Sequence, residues 1–204
     1  LYVEALSIYK SLAEQQHVYS QAMLLKMAFI YESTGNYTAA LYYLNLYYTK
    51  HPSRSTLKKM EALAQQHGLQ GYGYSDYDFF ATQARKYYFR ILEILLMGAV
   101  TVVTVNLIFK LRRKKTLNLP LAAYLMLLGG LFYYLNFLSF GKYGIVNKSG
   151  LALMSGPSAG SNLLRTLPRG NRVKVNDQTD IWVEVELNDT VAFARKSHLL
   201  LPDS

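Results

Sequence analysis

The chain has 204 residues, a net charge of +9 and no cysteine, which excludes a disulfide scaffold, a thiolate metal site and a cysteine nucleophile. The positive charge suggests nucleic acid, but its densest cluster joins two apolar stretches, and membrane proteins concentrate Lys and Arg in such cytoplasmic loops. We therefore predict no nucleic-acid partner. The histidines show neither metal-ligand nor catalytic spacing, so we predict no enzyme activity, no cofactor and no metal; they are His17, His51, His67 and His198.

Helical periodicity marks the amino-terminal part of the chain. Over residues 1–69, apolar and small residues recur at three- and four-residue spacing, with breaks at Gly35 and Gly68. Residues 4–9 match residues 39–44 at a spacing of 35, close to the period of about 34 of the tetratricopeptide repeat. The segment resembles such a repeat at Leu24, Ala28, Tyr31, Gly35, Tyr37, Ala40, Leu44, Tyr47 and Pro52. We predict a tetratricopeptide-like α-solenoid over residues 1–69.

Stacked helix pairs form a concave groove that is lined mainly by their first helices. In this repeat the groove positions are Ala22, Leu25, Phe29 and Glu32. Leu25 and Phe29 favour an apolar ligand, such as a helix of another protein, over a charged peptide terminus. The alternative is that the same side chains are packing residues in a short array.

The first helix carries an apolar stripe of Leu1, Ala5, Ile8 and Leu12. Because solenoids need about three repeats with polar ends to be stable alone, this stripe predicts further repeats upstream or a covering partner. Residues 70–86 follow as a linker and juxtamembrane helix. The Gly- and Tyr-rich tract at 70–78 is interpreted as a flexible hinge.

Two long apolar stretches follow the linker. Residues 91–109 carry one charge, Glu93, and residues 121–140 carry none. Each is close to the roughly 20 residues that span a bilayer core of about 30 Å. A buried hairpin of a soluble protein is the alternative, but soluble core helices rarely lack a polar face over this length. We predict transmembrane helices at 87–110 and 121–141.

The loop between these helices, residues 111–120, sets the predicted orientation. Five Lys or Arg crowd between Lys110 and Lys115, which favours a cytoplasmic loop with both termini in the periplasm. Small residues, which in lipid permit close helix contact, are Gly98, Ala99, Gly129 and Gly130. No polar relay crosses the apolar stretches, so the hairpin is interpreted as an anchor in membrane lipid rather than a transporter.

Residues 145–204 alternate in short runs that are punctuated by turns, which predicts a small all-β barrel of five strands. The Ser-Gly-Pro-Ser turn at 155–158 and the aromatic strand at 181–185 resemble a bacterial SH3 domain. The surface candidates that this resemblance implies are Ser155, Ser158, Trp182 and Phe193. Trp182 is either a ligand-stacking surface or a core aromatic of the barrel, and the core reading is favoured.

The order of α-solenoid, two-helix transmembrane hairpin and SH3-like barrel resembles the E-type component of the Bat aerotolerance operon of Bacteroidetes-like bacteria. This resemblance implies a multidomain inner-membrane protein with partners that carry von Willebrand factor A domains. It also implies a non-catalytic scaffold or adaptor subunit of an envelope or stress-related complex. The alternative function is a cell-envelope sensor that binds peptidoglycan through its SH3-like domain.

Overall fold

The structure is a computed structural model that describes residues 2–16, 19–74, 76–111, 118–136, 142–187 and 190–202. The chain forms two compact units, Leu1–Phe79 with Gly141–Ser204, and Phe80–Phe140. The first unit therefore combines an amino-terminal helical region and a carboxy-terminal β-domain, which come from opposite flanks of the apolar segment.

Four helices form the helical region: α1 Tyr2–Gln16, α2 Gln21–Ser33, α3 Tyr37–Lys50 and α4 Arg54–Gln66. Three of them begin at side-chain N-caps, because Ser20, Asn36 and Ser53 accept hydrogen bonds from Met23 N, Ala39 N and Thr56 N. Gly35 and Gly68 follow α2 and α4 with φ of +76° and +63°. The helical amino-terminal region predicted from periodicity is thereby confirmed.

The helical core lies where the repeat pattern predicted a helix–helix face. Leu24, Ala28, Ala40 and Leu44 are each at most 5% exposed, and Ala28, Ala40 and Leu44 belong to the core cluster in which α2 packs on α3. The two alanines allow close approach because their side chains are small. Leu1 and Leu12 of the predicted stripe lie outside the residues whose side chains are described, and Ile8 is exposed.

The Gly- and Tyr-rich linker is not a flexible hinge, and that interpretation is wrong. Tyr72 is 3% exposed, and its hydroxyl donates a 2.7 Å hydrogen bond to the Gly170 carbonyl of the β-domain. Gly71 has φ of +87°, and a Cβ at this position would stand 1.9 Å from the Arg172 carbonyl oxygen. Its glycine is therefore required for close backbone approach. Helix α5, Asp76–Lys86, follows.

The described residues of the β-domain form seven strands instead of the five predicted: β1 Lys142–Val146, β2 Leu151–Met154, β3 Leu163–Leu167, β4 Arg172–Thr179, β5 Trp182–Leu187, β6 Thr190–Arg195 and β7 Leu199–Leu200. They pair antiparallel in the order β3-β2-β6-β5-β4-β1-β7. The pairing of β4 with β5 has a register shift after Val175, and β4 continues beyond it to Thr179. The turn lies at Asp180, with φ of 38°.

The second unit contains helices α6, Tyr88–Leu111, and α7, Asn118–Asn136. Among the described residues, one helix, α6, is long and apolar enough to cross a membrane, with 24 residues and a mean hydropathy of 2.2. In α7 the described apolar stretch is shorter, Tyr124–Tyr134. Most of the predicted basic loop, residues 112–117, lies outside the described residues.

Helices α6 and α7 pack through only some of the predicted small residues. A Cβ at Gly98 would meet Leu127 at 3.8 Å, and the rings of Tyr88 and Tyr134 stack with centroids 5.1 Å apart. Gly129 and Gly130 have no described neighbour within 4 Å of an added Cβ, so their predicted role in close packing is wrong. Among the described residues, α7 instead contacts α6 through Leu127 and Tyr134.

Candidate functional site

An open apolar groove of about 350 Å³ lies between α1 and α2. Its lining comprises Ala5, Tyr9, Leu25, Lys26, Phe29 and Ile30. Leu25 is 41% exposed and Phe29 is 58% exposed, and they form a contiguous apolar surface in the groove. Two of the four predicted groove residues therefore line one concave surface, and Lys26 is its one titratable amine among the lining residues.

The other two predicted groove residues lie elsewhere on α2. Ala22 is exposed near the start of the helix and does not line the groove. Glu32 forms an ion pair with Lys59 and thereby joins α2 to α4, the first helices of consecutive pairs. Among the residues that line the groove, Glu32 is not found, so its predicted ligand contact stays a prediction.

A second, smaller pocket of about 200 Å³ lies on the outer face of the β-domain. It is built from strands β2, β5 and β6, the 3₁₀ turn Lys196–His198, and the loop after β2. Its lining comprises Ala152, Met154, Ala159, Trp182, Arg195 and His198. An aromatic plane, a thioether, a guanidinium cation and an imidazole thus converge on one small surface.

Trp182 is not a core aromatic residue of the barrel, so the interpretation favoured from the sequence is wrong. Along β5 the buried residues are Val183, Val185 and Leu187, so Trp182 points to the opposite face and is half-buried there. The Arg195 guanidinium stands over the indole, 5.7 Å from its centroid, on the neighbouring strand. The period-two alternation of 182–187 contained this information, because three β-branched or leucine residues occupy the inward positions.

The remaining surface candidates have different roles. Ser155 Oγ accepts a hydrogen bond from Asn162 N, and Ser158 Oγ accepts one from Gly160 N, each at 3.2 Å. Both hydroxyls therefore shape the loop that brings Ala159 to the pocket. Phe193 pairs across the sheet with Met154 and with Glu184, on the same outer face as Trp182 but outside the pocket lining.

An ion pair joins two neighbouring strands of the β-domain. Lys174 Nζ donates a 2.8 Å hydrogen bond to Glu186 across β4 and β5, and this bond holds the pKa of Glu186 below its usual value. Within the described residues, no group of three or more His, Asp or Glu could hold a metal ion.

The β-domain matches a known family. Residues 149–199 fit the family described as the bacterial SH3 domain. Comparison with curated proteins gives no significant match. The predicted SH3 domain is thus confirmed over these residues, which include the whole pocket lining.

Proposed function

We propose that this protein is a non-catalytic, membrane-anchored scaffold that binds protein partners through the α1–α2 groove and the SH3 domain. The observation that carries the proposal is the exposure of Leu25 and Phe29 in a formed apolar groove beside a domain of a binding family. Bacterial SH3 domains bind peptidoglycan or proteins. A groove with this lining fits the apolar face of a partner helix, with Lys26 placed for a carboxylate at its edge.

The anchor in this proposal is the pair α6 and α7 in the inner membrane. Most described apolar side chains of α6 are exposed, several are half-buried, and Ala99 is its one buried residue, as expected for a helix that lipid surrounds. The basic loop at 111–120 favours a cytoplasmic position, which places the helical region and SH3 domain in the periplasm.

The tetratricopeptide character and the Bat-type identity belong to the same proposal. Support comes from the order of a helical region, an apolar segment and a bacterial SH3 domain. In that setting the partners are membrane proteins with von Willebrand factor A domains, and the complex serves envelope or stress functions.

The double substitution Leu25→Asp/Phe29→Asp is expected to abolish capture of a membrane partner. Two carboxylates would place charge in an apolar groove without a counterion for each. The measurement is affinity purification of the full chain from detergent-solubilised membranes, followed by mass spectrometry. Leu163→Asp, at a 57% exposed leucine of the β-domain, is the control and should keep the partner. If the double variant retains every membrane partner, the groove is not the binding surface.

A second candidate function, a peptidoglycan sensor, is favoured by the outward position of Trp182. Exposed aromatic rings stack on sugars and on apolar parts of peptides. In that case Trp182→Ala should lower retention of the full chain on purified wall material roughly tenfold, the equivalent of about 1.4 kcal/mol. Trp182→Phe keeps an aromatic plane and should retain most of the binding. Equal retention of the wild type and Trp182→Ala would exclude this pocket as a wall site.

A further inference from the structure

The linker and the β-domain are joined by backbone hydrogen bonds. The Gln70 carbonyl accepts from Arg172 N at 3.0 Å, and Gln70 N donates to Asn171 Oδ1 at 2.8 Å. Tyr72 adds its hydrogen bond to Gly170. We call these contacts, between residues 69–74 and residues 169–172, the seam. They satisfy polar groups that would otherwise be buried without partners.

A buried arginine lies at the centre of the seam. Arg172 is 1% exposed, and its guanidinium carbon stands 3.7 Å from the ring centroid of Tyr143 and 4.8 Å from that of Tyr74. Tyr72 supplies a third ring at 5.9 Å. No described carboxylate forms an ion pair with Arg172, so the ring faces stabilise the cation. Burial raises the pKa of Tyr72 and of Tyr74 well above the usual range, which keeps both phenols protonated.

The hydrophobic core is continuous across the seam. Ile145 of β1 is fully buried within the core cluster of the helical region, and Leu200 of β7 packs on the same cluster. The backbone at Gly170 lies close to the helical region, because an added Cβ would stand 3.0 Å from Leu69 and 3.1 Å from Tyr37, and those side chains would have to shift. An interface with a shared core and a buried cation differs from the small polar contacts of domains that move independently.

We infer that the helical region and the β-domain of the same chain pack together (in cis) as a single folding unit, although the apolar segment separates them in sequence. Such a seam cannot form through a bilayer core of about 30 Å. Both parts therefore lie on the same side of the membrane, and the segment between them crosses an even number of times. The even number of crossings rests on the proposed membrane anchor. It assigns a return crossing to α7, although the described apolar stretch of α7 is short.

The single tryptophan of the chain provides a direct test, because Trp182 reports on unfolding of the β-domain alone. Leu41 of α3 and Leu167 of β3 are both fully buried, one in each part of the unit. In the full chain in detergent, Leu41→Ala should lower the urea midpoint of Trp182 fluorescence by roughly 1–2 M, as Leu167→Ala does. Leu128→Ala, in α7, should leave this midpoint unchanged. The inference is overturned if only Leu167→Ala shifts the Trp182 transition.

Glycine variants keep the test decisive if Leu41→Ala does not fold. Gly71→Ala introduces the clash with Arg172 and places an alanine at a positive φ. Gly68→Ala also places an alanine at a positive φ, but without a clash. Gly73→Ala does neither, because its added Cβ meets no atom within 4 Å. The fall in the Trp182 midpoint should be largest for Gly71→Ala and absent for Gly73→Ala. Equal midpoints for Gly71→Ala and Gly73→Ala, or a midpoint that depends on protein concentration, would overturn closure in cis. These measurements do not depend on membrane orientation, so they fail independently of the proposed function.

Discussion

Replacement of Arg172 by alanine is expected to lower the free energy of unfolding of the first unit by about 3–5 kcal/mol. Arg172 is among the largest fully buried side chains, and its removal would leave a cavity between the rings of Tyr74 and Tyr143. The loss should be visible as a lower denaturation midpoint of Trp182 fluorescence, although position 172 lies outside the Trp182 pocket.

Arg172→Met separates the volume of the side chain from its charge. Methionine fills a similar space, and loss of the charge also removes a desolvation cost of several kcal/mol, which offsets the lost cation–π contacts. We therefore expect Arg172→Met to cost less than about 1.5 kcal/mol. Arg195→Ala is the matched control, because Arg195 also faces an aromatic ring but is exposed, and it should change stability by less than about 1 kcal/mol. Equal losses for Arg172→Met and Arg172→Ala would show that charge, not packing, dominates the seam.

The seam also determines which face of the SH3 domain a ligand can reach. Strands β1 and β7 and the start of β4 contact the helical region and the linker, through Ile145, Leu200 and Arg172. The outer face of β2, β5 and β6 carries the Trp182 pocket instead. A partner or wall ligand of this domain is therefore expected at the Trp182 face.

Local signals in the sequence were sufficient for the secondary structure of the helical region. The caps Ser20, Asn36 and Ser53 and the turn glycines act within a few residues, and the buried face of α2 follows its apolar spacing. The outward position of Trp182 could also have been predicted, from the alternation of β5. The interpretation of Trp182 as a core residue was wrong because it relied on the residue type instead of the alternation of inward and outward positions along β5.

The seam could not be predicted in the same way, because its contacts join distant parts of the chain. The Tyr72 hydroxyl and its acceptor are 98 residues apart in sequence, and the Gln70–Asn171 hydrogen bond spans 101. Glycines and tyrosines near residue 72 have the composition of a flexible linker, and only the opposing surface shows that they pack. Arg172 likewise stands at the start of a strand, where a solvated side chain is the usual expectation.

The membrane topology of the chain is directly measurable, because the sequence has no native cysteine. Three single-cysteine variants suffice: Ala22→Cys on α2, Ser158→Cys in the SH3 domain and Thr116→Cys between the apolar stretches. Ala22 and Ser158 are exposed, so neither substitution should disturb a core. Each variant is treated in intact cells with a thiol reagent that cannot cross the inner membrane, and again after permeabilisation.

We expect Ala22→Cys and Ser158→Cys to be labelled in intact cells and Thr116→Cys only after permeabilisation. The reverse pattern would preserve the single folding unit but place it in the cytoplasm, which contradicts the periplasmic scaffold and the wall-binding alternative. Labelling of Ala22→Cys and Ser158→Cys on opposite sides would contradict the seam itself. Equal labelling of all three in intact cells would show that the apolar segment does not cross the membrane.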